Sequence, residues 1–201
     1  MKKAFLITAC CAILLAISPI ASSAEDLYVS ANLGIAMLSD SDVADPTLGT
    51  MSVESDLGLA FGAAVGYDLG NNTRIEGEIA YQENDLDKGD GVNLTGDSSS
   101  VALLLNGYYD FANETEFTPY ICAGIGFANI EVDFGAPGIL TLISDDTVFA
   151  YQLGAGVGYA INEEITFDVK YRYLETSDPD FATATAEYSS HNFYVGIRVA
   201  F

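Results

Sequence analysis

The chain closes with Asn192-Phe193-Tyr194-Val195-Gly196-Ile197-Arg198-Val199-Ala200-Phe201, and the alternation in this stretch decides the fold. Successive side chains of a β-strand point to opposite faces. Phe193, Val195, Ile197, Val199 and Phe201 therefore share one face, and Asn192, Tyr194, Gly196, Arg198 and Ala200 share the other. The same period runs upstream, where Ile165, Phe167, Val169, Tyr171 and Tyr173 oppose Thr166, Asp168, Lys170 and Arg172. It recurs where Ile75, Ile79 and Tyr81 oppose Arg74, Glu76, Glu78 and Gln82. A soluble sandwich would bury its apolar face and turn the charged face to water. Here the second face also carries Gly58, Gly62 and Gly66, then Gly124 and Gly126, then Gly154, Gly156 and Gly158. Glycine is disfavoured inside strands unless something must approach closely.

Extending the pattern predicts eight strands: Leu27–Leu38, Asp56–Leu69, Thr73–Glu83, Ser98–Asp110, Phe117–Val132, Thr147–Ile161, Glu164–Glu175 and Glu187–Phe201. A closed barrel in lipid accounts for both faces, because the apolar side meets hydrocarbon and closure leaves no unpaired edge. Eight strands enclose a space that side chains just fill. Glycines beside Arg74, Glu76 and Glu78, and beside Asp168, Lys170 and Arg172, then supply small next to large in a narrow lumen. The connections alternate in length, as the periplasmic turns and extracellular loops of such barrels do. Short turns fall at Gly70-Asn71-Asn72, Phe111–Glu116 and Asn162-Glu163, and longer acidic loops at Ser39–Ser55, Asn84–Asp97, Asp133–Asp146 and Thr176–Ala186. Tyr67, Tyr108, Tyr109, Phe111, Phe117, Tyr120 and Tyr159 cluster beside the short turns, where an aromatic girdle is expected. The predicted fold is an all-β, eight-stranded, antiparallel up-and-down transmembrane barrel.

Composition narrows the function. The 201 residues hold 7 Lys and Arg against 29 Asp and Glu, a balance that repels nucleic acid. Half the residues are hydrophobic and the mean hydropathy is +0.25, too apolar for a disordered chain. Residues 1–24 read as a secretory signal: Lys2 and Lys3, an apolar stretch from Ala4 to Ile17, and the small residues Ser22-Ser23-Ala24 before cleavage. Ile7-Thr8-Ala9-Cys10 imitates a lipidation box, but too short an apolar run precedes it. The barrel then occupies residues 25–201, with five basic side chains against all 29 acidic ones, a net charge of −24. Cys122 is its single cysteine, so neither an intrachain disulfide nor a cysteine metal cluster is expected.

The pairs Ala123-Gly124-Ile125-Gly126-Phe127 and Gly154-Ala155-Gly156-Val157-Gly158-Tyr159, with Tyr171-Arg172-Tyr173, carry a resemblance. With the loop pattern, they make the segment after residue 24 similar to the small outer-membrane β-barrels: the opacity-type surface proteins, the OmpA transmembrane domain, OmpX and OmpW. The ending from Tyr194 to Phe201 resembles the terminal strand that the outer-membrane assembly machinery recognises. The resemblance implies a Gram-negative outer-membrane protein in contact with lipid and lipopolysaccharide. It implies a non-enzymatic role in membrane integrity or surface interaction, including contact with a host or surface ligand at the loops. A narrow porin, or a path for small apolar molecules, is the alternative.

Arg74, Glu76, Glu78, Asp168, Lys170, Arg172 and Arg198 form a predicted lumen charge network, either an ion path or a salt-bridged plug; a plug is favoured because buried charges persist only when paired. Asp85-Leu86-Asp87-Lys88-Gly89-Asp90-Gly91 imitates a calcium loop, but its fifth position is Gly89 and its twelfth Gly96, so no specific calcium site is expected. Asp40, Asp42, Asp45, Asp133, Asp145, Asp146, Asp178 and Asp180 are read as solvated loop residues, able at most to share loose divalent bridges to lipopolysaccharide phosphates. Ser189, Ser190 and His191 are the one arrangement that could serve an outer-membrane hydrolase or protease. Parity separates them, with His191 outward near the outer rim and Ser190 inward, so no enzyme and no cofactor are expected.

Overall fold

The structure, a computed structural model, describes residues 26–39, 41–45, 49–89, 92–93, 95–135, 142–177, 179–181, 184–186 and 188–201. The segment 1–24 lies outside them, as do Asp40 and Asp178 and the side chains of Asp42, Asp45, Asp87, Lys88, Asp90 and Asp180. In chain order the strands are β1 (Leu27–Leu38), β2 (Ser41–Asp45), β3 (Gly49–Ser55), β4 (Gly58–Gly70), β5 (Thr73–Gly89), β6 (Val92–Asn93) and β7 (Thr95–Asp110). They continue as β8 (Phe117–Gly135), β9 (Leu142–Ala160), β10 (Ile165–Thr176), β11 (Asp180–Phe181), β12 (Ala184–Ala186) and β13 (Ser189–Ala200).

Eight of these close a ring of antiparallel pairs, running β4, β1, β13, β10, β9, β8, β7, β5 and back to β4. The apolar parity faces outward: Leu33, Leu59, Leu103, Leu105, Ile125, Phe127 and Leu153 are all more than half exposed. The residues of the opposite parity along the strands, among them Arg74, Glu76, Glu78, Lys170 and Arg172, are buried inside. Such an inversion is stable only where hydrocarbon replaces water outside. At the short-turn end, Gly70, Asn71 and Asn72 all have positive φ (72°, 52° and 65°), residue types that tolerate the tight reversal between β4 and β5.

The strands extend further than the apolar pattern predicts. β5 and β7 carry the ladder to Gly89 and from Thr95, and β8 and β9 to Gly135 and from Leu142. Most of Asn84–Asp97 and Asp133–Asp146, read as loops, is therefore hairpin standing beyond the apolar band. Lipid contact sets where apolar side chains end, but backbone pairing continues into water wherever partners remain in register. The short strands β2, β3, β11 and β12 pair above the same end. Asp85–Gly89 lies in extended β5, a backbone that cannot wrap a cation as a calcium loop does.

Candidate functional site: a layered lumen

At the short-turn end, β5 sets Arg74 in a cage of charge and aromatic rings. Arg74 donates to both carboxylate oxygens of Asp110, through Nε at 2.6 Å and Nη2 at 2.8 Å, and through Nη1 to the Tyr28 hydroxyl at 2.9 Å. Tyr28 in turn donates to Glu76 at 2.8 Å, and Glu76 lies 3.5 Å from Arg74. The guanidinium sits 4.5 Å from the Tyr108 ring centroid and 5.5 Å from that of Tyr120. Tyr108 and Tyr120 are thus lumen residues, which corrects their assignment to the girdle: Tyr108 and Tyr109 are adjacent and cannot face the same way. Tyr109, Phe111, Phe117 and Tyr159 keep the outer positions and pack as edge or tilted ring pairs. Asp168 and Arg198 pair at 3.5 Å on the same level.

One level further in, Glu78 is the hub. It accepts from Arg172 Nη1 at 3.2 Å, Asn106 Nδ2 at 2.7 Å and Gln152 Nε2 at 3.4 Å. Arg172, 1% exposed, also donates to the Tyr194 hydroxyl and lies over its ring, 4.8 Å from the centroid. Gly154, Gly156 and Gly158 stand directly opposite Arg172, Lys170 and Asp168 and leave the room these long side chains use. Lys170 is buried with its ammonium 5.4 Å from the Tyr194 ring, close enough to the carboxylates of Glu78 and Asp168 to act on both electrostatically. The space bounded by Ser30, Asn32, Glu76, Tyr120, Asp168 and Lys170 is a cavity of about 10 Å³, room for about one water molecule.

Toward the other end the filling turns apolar. Ala80, Ala102, Leu104, Ala128, Ile130, Val148, Ala150, Leu174 and Tyr188 form one buried cluster, with Leu38 and Val132 packed on it. A polar clasp lies beside it: Gln82 donates to the Tyr188 hydroxyl at 2.6 Å and accepts from Ser190 at 3.3 Å. Asn84 bridges the carbonyls of Ala36 and Asp56, each at 2.9 Å.

All seven residues of the sequence-derived network thus line one lumen, in two levels. Asp110, Tyr28, Asn106 and Gln152 were missed as its partners, although inward parity on their own strands marks each of them. Tyr194 is buried in the lumen beside Arg172, whereas Phe201 is 41% exposed at the short-turn end. Cys122 packs with Tyr108 and Tyr120 and is a small inward filler. Ser190 is fully buried inside, while His191 lies outside with its Nδ1 2.7 Å from the Tyr171 hydroxyl. The serine and the imidazole are on opposite sides of the barrel wall.

The comparisons with known proteins agree with this architecture. Residues 7–201 match the model of the outer membrane protein beta-barrel domain family. The outer membrane protein PagN of Salmonella typhimurium is 30% identical over 173 residues, spanning 70% of this chain and 72% of PagN. Among solved structures, the neisserial surface protein NspA superposes with a TM-score of 0.62 at 23% identity, covering 87% of this chain and 97% of NspA. Ail, the attachment invasion locus protein of Yersinia pestis, was solved with the heparin analogue sucrose octasulfate. It superposes with a TM-score of 0.51 at 16% identity, over 86% of this chain and 99% of Ail. These two share the barrel fold with this chain. The chain belongs to the outer membrane protein beta-barrel family, and the apolar belt around its lumen spans the outer membrane.

Proposed function

We propose that this barrel is a non-enzymatic surface module. Its lumen is structural filling, and its contacts with the exterior are made by the acidic hairpins and rim strands beyond the membrane. One observation carries the reading. Arg74, Lys170, Arg172 and Arg198 all lie in the lumen, so four of the five basic residues after position 24 are withdrawn from the exterior. Acids meanwhile line the outward face of the hairpins, and the register sets Asp85 opposite Asp97, Asp97 opposite Asp133, and Glu131 opposite Asp145. Ail was solved with a polyanion; the charge of this chain disfavours such a ligand and favours a basic or neutral one.

The test is adhesion. Wild type is expressed in a non-adherent Gram-negative host beside a variant in which residues 86–94 and 134–143 are each replaced by Asn-Gly. Attachment to epithelial monolayers is expected for wild type, to fall at least tenfold on trimming, and to persist in excess heparin. Adhesion that survives trimming, or that heparin abolishes, would reject the reading.

Export through a signal in residues 1–24, contact with lipopolysaccharide, and recognition of Tyr194 and Phe201 by the assembly machinery belong to the same proposal. Phe201→Ala is expected to lower the heat-modifiable, membrane-inserted fraction severalfold, since Phe201 is exposed and its loss removes no lumen contact. Equal amounts of inserted variant and wild type would exclude the recognition role.

A further inference from the structure

His191 is the single histidine of the chain and stands on the lipid-facing side of β13. A strand rise of about 3.3 Å, tilted by about 40°, advances roughly 2.5 Å along the barrel axis per residue. From Phe201 at the periplasmic end to His191, this comes to about 25 Å, the height of the apolar band of an outer-membrane barrel. Phe193, Val195 and Ile197 fill the band between them, each more than two-fifths exposed. His191 therefore lies where hydrocarbon gives way to the headgroups of the outer leaflet.

Its ring is held. Tyr171 Oη lies 2.7 Å from Nδ1, the Tyr171 ring stacks on the imidazole at 24° with centroids 6.1 Å apart, and Tyr173 closes the other flank at 5.1 Å. Tyr171 leans in turn on Phe193 at 5.2 Å. The Tyr171 hydroxyl occupies Nδ1, so Nε2 is the ring nitrogen left to face away from the pair, and it carries a proton whenever the phenol is the donor to Nδ1. Glu175, on the same face of β10 as Tyr171 and Tyr173, is engaged by the Tyr173 hydroxyl at 3.0 Å and by Tyr151. Among the residues whose side chains are described, His191 is the one Lys, Arg or His on the outward face.

We infer that the Tyr171–His191 pair is a headgroup-binding site, with Nε2–H donating to the phosphate of an outer-leaflet lipid. The tyrosines hold the imidazole at headgroup depth, and the apolar wall below it, from Phe193 to Ile197, carries the acyl chain of the same lipid. The site rests on the lipopolysaccharide contact proposed above and makes no use of the hairpins, so loss of adhesion on trimming them and loss of the lipid shift are separate outcomes.

A single histidine makes the test direct. The full barrel, labelled with ¹⁵N-histidine, is placed in phosphatidylcholine nanodiscs alone, with bisphosphorylated lipid A, with dephosphorylated lipid A, and with inorganic phosphate. The Nε2 resonance is expected to shift only with bisphosphorylated lipid A, and the shift to shrink in Tyr171→Phe. An unchanged Nε2 resonance with lipid A overturns the site. The same shift with dephosphorylated lipid A reassigns it to sugar or acyl contact and overturns phosphate recognition. A shift with inorganic phosphate alone overturns the lipid assignment.

Discussion

Arg172→Ala is expected to lower the unfolding free energy of the barrel by about 3–5 kcal/mol, the usual cost of stripping one partner from a buried ion pair. Its neighbours explain why so much is at stake. Glu78 would keep Asn106 and Gln152 as donors but lose its one guanidinium, and Tyr194 would lose the donor at its hydroxyl. The carboxylate is only 3% exposed, so bulk solvent cannot replace the lost charge. A second change separates charge from packing: Arg172→Met with Glu78→Gln removes both charges together and is expected to recover most of the loss. Equilibrium urea unfolding in detergent micelles measures both, and an unchanged midpoint for Arg172→Ala would show that the pair does not hold the lumen.

Gly126→Ala is expected to be nearly as damaging by a different route. A Cβ at this position would run into the backbone carbonyl of Leu103 on the neighbouring strand β7, with Leu104 Cα close behind. Overpacking costs about 1–3 kcal/mol where side chains can give way, and here the obstacle is backbone within a closed ladder, so the cost should reach or exceed the upper end. The outward glycines supply the control, because a Cβ at Gly77 or Gly107 meets nothing within 4 Å. Gly77→Ala and Gly107→Ala should refold to wild-type yield, while Gly126→Ala should leave most of the chain in the unfolded band on heat-modifiability gels. Equal yields for all three would mean that the wall yields at Gly126.

These contrasts also mark what the sequence reveals. The faces of β10 and β13 are plain in it, because charge and glycine alternate with branched and aromatic residues without interruption. Strand number and the order of short turns follow from the same period. The apolar stopper is not visible: in Val101-Ala102-Leu103-Leu104-Leu105 both faces are apolar, and nothing in that stretch separates the buried Ala102 and Leu104 from the lipid-facing Leu103 and Leu105. Asp110 escaped for a related reason. It stands at the end of β7 beside a turn, where acids are commonplace, and only the pairing of β5 with β7 brings it to Arg74. Parity gives the face of a residue; register gives its partner, and closure of the ring sets register.

The lumen is filled by two charged levels with a cavity of about 10 Å³ between them and an apolar cluster above, and it opens at the short-turn end into a space of about 290 Å³ beside Tyr28, Arg74, Asp110 and Arg198. Planar-bilayer conductance of the refolded barrel tests this most directly, with Arg74→Ala and Arg172→Ala recorded beside it. No discrete channels are expected from a wild-type barrel shown to be folded by heat-modifiability. Stable unitary currents in wild type, altered in size or selectivity by either replacement, would contradict the account and make the lumen charges the lining of a pore.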